Sequence, residues 1–313
     1  SMVVKYIKKK NKKDVMEKYV KGYLSIYLNC VIENPSFDSQ AKERLITPKS
    51  KFGSQPEISE KFIKNLCENA GLSEKVMQFS EFKDKTLAKK TNGTKKNKLR
   101  DIPKLDDANW AGTPKSDQCT LILTEGDSAK SMVLSGIDSI PDPTGAKVTK
   151  KPYGREYYGV FPLRGKMLNT RDAPMKQIME NAEINHLKQI MGLQSDKKYN
   201  EKNIGELRYG KIMIMTDADK DGSHIKGLVM NLLHNMWPSL ISIDGFVQSF
   251  KFPIVKATKK MNVKEFYTEQ EYEAWKEENG DGKGWDIKYY KGLGTNTKEE
   301  AKKYFKNIGI VHV

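Results

Sequence analysis

The sequence predicts an α/β protein built on a mainly parallel sheet. Three observations carry that expectation. After residue 118, apolar strand-like runs alternate with helical stretches, which is the pattern of βα units. Two of those runs empty into acidic turns, as strands do where an open sheet gathers ligands. The 313 residues, 37% hydrophobic and 30% charged, suffice for two modest domains with a real core and a wet surface.

The chain opens on a basic stretch, KYIKKKNKK (5–13). YLSIYLNCVIENPSF (23–37) reads as a strand ending at Pro35. SEKFIKNLCENAGL (59–72) reads as a helix, with Ser59 as N-cap, Phe62, Leu66 and Ala70 at helical spacing, and Gly71 as the stop. Residues 83–104 are basic, poor in apolar side chains and contain Asn92-Gly93, so they read as a linker or exposed loop. The expected partition is 1–88, a basic linker over 89–117, and a second domain over 118–313. Within that domain, 119–126, 157–165 and 211–217 read as strands, and 128–136, 175–191 and 222–240 as helices. Residues 137–157, rich in Pro, Gly and Lys, read as a mobile loop.

No run of 18 apolar residues suggests a membrane span, and the lysine-rich start lacks a signal peptide's apolar region. The net charge of +15 favours a polyanionic partner, with nucleic acid ahead of an anionic membrane surface. Cys30, Cys67 and Cys119 are odd in number and far apart, which excludes a disulfide framework or CxxC metal site and fits a reducing compartment, cytosol or nucleus.

In KIMIMTDADKDGSHI (211–225) a strand runs into Asp217, Asp219 and Asp221, and another strand ends in Glu125-Gly126-Asp127. If these strands are neighbours, four or five carboxylates converge and repel. Oxygen ligands without Cys or His suit a hard cation, foremost Mg²⁺. An EF-hand loop would need a bidentate Glu at its twelfth position, where Leu228 stands. A bland alternative is an acidic turn capping the helix that follows. GVFPLRGK (159–166) is not a P-loop, because five residues separate Gly159 from Gly165 and Met167 follows Lys166. Arg164 and Lys166 fit phosphate contacts beside the acids.

EGDSA (125–129), PLRGK (162–166) and DADKDGSHI (217–225) together resemble the Toprim domain of type II DNA topoisomerases. IPKLDDAN (102–109), KQIMENAEI (176–184), YGKIMIMTD (209–217) and YYKGLGT (289–295) resemble the eukaryotic form. ENPSFDSQAKE (33–43) is similar to the transducer loop that reaches the ATP γ-phosphate, with Gln40-Ala41-Lys42 where the family reads QTK. DADKDG likewise departs from the usual DQDQDG but keeps its aspartates.

The resemblance implies the end of a transducer followed by a Toprim domain. It implies ATP-dependent passage of one DNA duplex through a transient double-strand break by a nuclear homodimer. Glu125, Asp217 and Asp219 would be catalytic and, with Asp221, would hold Mg²⁺, with Mn²⁺ or Ca²⁺ as substitutes. Arg164, Lys166 and Lys291 would contact DNA, Gln40 and Lys42 would contact ATP, and Gly126, Asp127 and Arg164 match the region where family poisons bind. The chain reads as a central fragment without the ATPase domain and nucleophilic-tyrosine domain, so that alone it is expected to be inactive. Another Toprim enzyme, such as a primase or nuclease, and a non-catalytic DNA-binding scaffold are the alternatives.

Overall fold

The computed structural model describes residues 2–312 apart from 54–56, 97–98, 100, 141–152, 251, 291, 293–296 and 307–309. Two compact units emerge, Ser1–Asp84 and Lys85–Val313. Most of the 137–157 loop lies outside the described residues.

The first unit packs α1 (Met2–Asn11), α2 (Glu17–Lys21) and α3 (Glu60–Glu68) around Val3, Ile7, Val20, Ile63 and Cys67. Ser59 caps α3 by accepting from the Phe62 amide at 3.2 Å. The expected strand over 23–37 does not form. Its Ile26, Tyr27, Leu28 and Val31 side chains are exposed, and no described strand lies beside it. A strand's amides and carbonyls need a neighbour, and β propensity without one leaves irregular chain.

The basic 83–104 stretch is not a linker. α4 (Leu72–Lys90) carries its first third, and the unit boundary falls inside that helix. Beyond it, Ile102, Ala108 and Ala111 are buried in the second unit's main core. Asp106 exchanges backbone hydrogen bonds with Val160 at 3.0 and 2.8 Å. The exposed lysines of this stretch outnumber its few buried apolar side chains, so its composition hid them.

The second unit is an α/β sheet of order β2-β1-β3-β4-β8. The strands are β1 (Thr120–Glu125), β2 (Tyr158–Leu163), β3 (Lys211–Met215), β4 (Val247–Phe250) and the edge strand β8 (Ile310–His312). The first four are parallel and β8 is antiparallel. Side chains alternate strictly. Leu121, Leu123, Phe161, Ile212 and Ile214 face one core, and Ile122, Val160, Met213 and Met215 face the other. Both faces are therefore covered, as an all-parallel arrangement requires. α7 (Met175–Glu180), α8 (Ala182–Met191) and α9 (Lys220–Met236) contribute to the first core. α5 (Gly126–Ile137) and α12 (Lys298–Lys306) contribute to the second.

Two expected helices are interrupted. The 175–191 helix breaks at Asn181, whose side chain caps α8 by accepting from the Ile184 amide at 3.0 Å. The 222–240 helix stops at Trp237, because Pro238 disfavours helical backbone in the residue before it. A second, antiparallel sheet, β6-β5-β7 (Asn262–Phe266, Val255–Lys259 and Asp286–Tyr289), packs with α11 (Glu269–Glu278) around Phe266, Tyr272 and Trp275. No described helix is long and apolar enough to cross a membrane.

Lys188 is wholly buried and donates to Ala88 O (3.1 Å), Thr91 Oγ1 (2.7 Å) and Ser195 Oγ (3.1 Å), with no carboxylate in that set. Burial pushes its ammonium down to about 8. Between that value and the ordinary 10.5 the unfolded chain binds the extra proton, so rising pH stabilises the fold over this window. The stability of wild type minus that of Lys188→Met, measured by urea unfolding, should rise by roughly 3 kcal/mol from pH 8 to 10.5. A flat difference would contradict the burial argument.

Candidate functional site

Chain order reverses at β1. β2 lies on one side of it and β3 on the other, and crevices at such reversals are where open sheets bind ligands. The register sets Glu125 level with Leu163 and Thr124 level with Met215. The ends of EGD, PLRGK and DADKD therefore meet along one edge, as the sequence suggested.

Each acid has a different local role. The Glu125 carboxylate accepts from the Asp217 amide at 3.3 Å. Burial pushes the Glu125 carboxyl up, the Asp217 amide opposes this, and the charges of Asp217, Asp219 and Asp221 add to the rise. Asp219 caps α9, accepting from the Gly222 amide at 2.7 Å. The bland capping role thus belongs to this aspartate and leaves the other two to the crevice. Asp221 sits in the first turn of α9 and pairs with Lys166 at 2.8 Å, and that ammonium holds its carboxyl below the usual value. The turn is tight: a Cβ on Gly222 would lie 2.0 Å from the Asp217 carbonyl oxygen.

A recess of about 400 Å³ opens beside Glu125, lined by Lys104, Gly126, Asp127, Leu163, Arg164 and Gly165 among others. Lys104 pairs with Asp127, and Lys130 donates to the Lys104 carbonyl at 2.6 Å and pairs with Asp106. Arg164 and Lys166 are exposed, and the Arg164 amide donates to the Glu183 carboxylate at 2.7 Å. Lys104, Lys130 and Glu183 had no role assigned from sequence. Lys104 and Glu183 lie inside the quoted IPKLDDAN and KQIMENAEI stretches, which were the available signal. Lys291 lies outside the described residues. In the first unit, Phe37 and Leu45 bridge across a turn that leaves Gln40 and Lys42 exposed. These two belong to a different unit from the carboxylates.

Two further residues escaped the sequence reading. A Cβ on Gly292 would lie 2.3 Å from the Asp217 Oδ2, so the chain here passes directly against that carboxylate. Glu300 anchors the flanking chain. It accepts from Tyr290 Oη (2.6 Å), Lys288 Nζ (3.0 Å) and the Thr297 amide (2.9 Å). Burial alone would raise its carboxyl, but these donors outweigh burial and bring it down to about 2.

Among the described residues, no three His, Cys, Asp or Glu side chains stand close enough to form a metal cluster. The donor set still fits Mg²⁺, which takes one or two carboxylates and completes its shell with water and phosphate oxygens. Glu125 beside Asp217 supplies hard oxygen ligands, and the aspartate repulsion that adds to the burial-driven rise of Glu125 is what a cation would relieve.

The family model described as DNA gyrase B matches residues 1–96, the Toprim domain matches 120–243, and the C-terminal associated domain of TOPRIM matches 250–312. DNA topoisomerase 2-beta of Homo sapiens is 50% identical over 310 residues, covering 98% of this chain and 18% of the relative. DNA topoisomerase 2 of Drosophila melanogaster is 49% identical over 309 residues, covering 98% of this chain and 20% of the relative. The chain thus spans about a fifth of the length of these relatives. The crystal structure of the Plasmodium falciparum topoisomerase II DNA-binding, cleavage and re-ligation domain aligns with TM-score 0.60 and 51% identity, covering 68% of this chain and 27% of that one.

Gly292→Ala should displace the Asp217 carboxylate and weaken Mn²⁺ binding by roughly tenfold, the scale of a lost support around a metal ligand. Gly227→Ala, with nothing within 4 Å of its new Cβ, should leave binding unchanged and stabilise α9 slightly. Electron paramagnetic titration of free Mn²⁺ reads both variants, and equal affinities would contradict the close approach.

Proposed function

Since the chain belongs to the type II DNA topoisomerase family, we propose that it supplies the metal-holding half of a DNA cleavage centre in ATP-dependent duplex passage. The observation that carries this reading is Glu125 against Asp217 at the β1/β3 edge, with Arg164 and Lys166 on the neighbouring wall. Glu125 and Asp217 would take Mg²⁺ first, and Asp219 would have to join them from its place as the α9 cap. Asp221 would stand at the outer side beside Lys166, and Mn²⁺ or Ca²⁺ would substitute. When bound, the cation stabilises charge on the scissile phosphate and leaving oxygen.

The chain's own residues orient and protonate. Arg164, Lys166 and Lys291 hold backbone phosphates, which carry no sequence information, so duplex binding is sequence-tolerant. The raised Glu125 carboxyl can exchange a proton at its Oε atoms close to the reacting phosphate. Gln40 and Lys42, exposed on their turn, contact the ATP phosphates. Gly126, Asp127 and Arg164 border the recess where a small molecule could lodge at cleaved DNA. The assembled enzyme works as a homodimer in the nucleus under this reading. The primase, nuclease and scaffold readings gain no support from the relatives.

The 313-residue chain should bind Mn²⁺, and Asp217→Ala combined with Asp219→Ala should abolish that binding; retained binding sinks the metal assignment. Its duplex affinity should fall by orders of magnitude between 50 and 200 mM salt, because phosphate contacts release counterions. Salt-insensitive affinity would contradict it. When the chain replaces the matching region of a eukaryotic DNA topoisomerase 2, the chimera should relax supercoiled plasmid with Mg²⁺ and ATP. Glu125→Ala should abolish that relaxation.

A further inference from the structure

The Lys166–Asp221 pair spans the crevice. Lys166 follows β2 and Asp221 follows β3, while β1, which ends in Glu125, lies between those strands. The ammonium stands 2.8 Å from Asp221 Oδ1, and both side chains are more than half exposed. The lysine therefore occupies an oxygen that the metal reading assigns to a divalent cation. A lysine and a divalent cation on the same carboxylate repel, and a phosphate that draws the ammonium toward itself lowers that repulsion. An exposed pair of this kind contributes little to stability and exchanges readily.

We propose that Lys166 is a resident counter-cation of the acidic crevice, occupying Asp221 until a divalent cation enters and then transferring its ammonium to the nucleic-acid phosphate. This rests on the metal reading above. It adds a competition: the side chain that later binds phosphate first weakens metal binding. Metal and duplex then favour each other, because each draws Lys166 away from Asp221.

Lys220 provides the control. It is an exposed lysine adjacent to both Asp219 and Asp221 and forms no salt bridge among the described residues. Mn²⁺ titrations without DNA should be run on the wild-type chain, Lys166→Met, Lys220→Met, Asp221→Asn and the Lys166→Met/Asp221→Asn double variant. Lys166→Met should bind Mn²⁺ roughly three- to tenfold tighter, as expected when one nearby positive charge leaves a solvated site. Lys220→Met should change affinity by less than about twofold, and the Lys166→Met gain should vanish in the Asp221→Asn background. Damage to the fold cannot mimic this, because the expected change is a gain. Unchanged or weakened binding in Lys166→Met, an equal gain in Lys220→Met, or a gain that survives Asp221→Asn overturns the inference and leaves the metal reading standing. Absence of Mn²⁺ binding in every variant overturns both.

Discussion

Parallel pairing of β1 with both β2 and β3 constrains the rest of the molecule. A strand with parallel neighbours on each side must be apolar on both faces, and β1 is buried through Thr124. Helices must then cover both faces, and the connections carry the chain back so that all three strands end at one edge. The residues just past those ends have no choice of neighbours. Glu125 faces the turn holding Asp217, Asp219 and Asp221 because the register leaves it nowhere else to go.

That crowding costs electrostatic free energy, which the structure reduces in several separate ways. Asp219 spends its charge on the α9 N-terminus, where amides and the helix dipole favour an anion. Asp221 has Lys166, and Asp127 on the other side has Lys104. Glu125 takes a hydrogen bond from the Asp217 amide, which does not offset its burial, so its carboxyl stays raised. The raised Glu125 carboxyl stands in the middle of the crevice, and a cation bound there would relieve the repulsion from the three aspartates that adds to its rise.

The parallel strands and their acidic ends were legible in the sequence, because uninterrupted apolar runs such as Leu121–Leu123 and Ile212–Met215 admit few other readings. Three kinds of feature were not. The 23–37 segment has strand propensity but no pairing partner among the described residues, and pairing is a property of two segments. The lysine-rich 83–104 stretch hid a helix and a packed segment, because its exposed lysines outnumber the few apolar side chains that pack. Gly292 at Asp217 and the Glu300 hub join segments about 75 and 10 residues apart through close approach, which has no periodic signature. For the site, residue types were legible and their division of labour was not: nothing in DADKD says which aspartate caps, which pairs and which faces Glu125.

The same ion-pair chemistry does opposite things at two depths. Arg208 is wholly buried, donates to Asp107 and to the Lys96 and Ile190 carbonyls at 2.6 and 2.8 Å, and sits beside Tyr209, whose hydroxyl also donates to Asp107. Such a network cannot exchange, because removing one partner strands a buried charge. It fixes the 102–109 segment, and with it the backbone from which Lys104 reaches Asp127. At the exposed rim, water can replace either partner of Lys166–Asp221 at little cost. Burial therefore decides which pairs are scaffold and which can be exchanged. The crevice joins the two: strands and buried pairs hold its carboxylates in place, while the lysines at its mouth stay free to leave them.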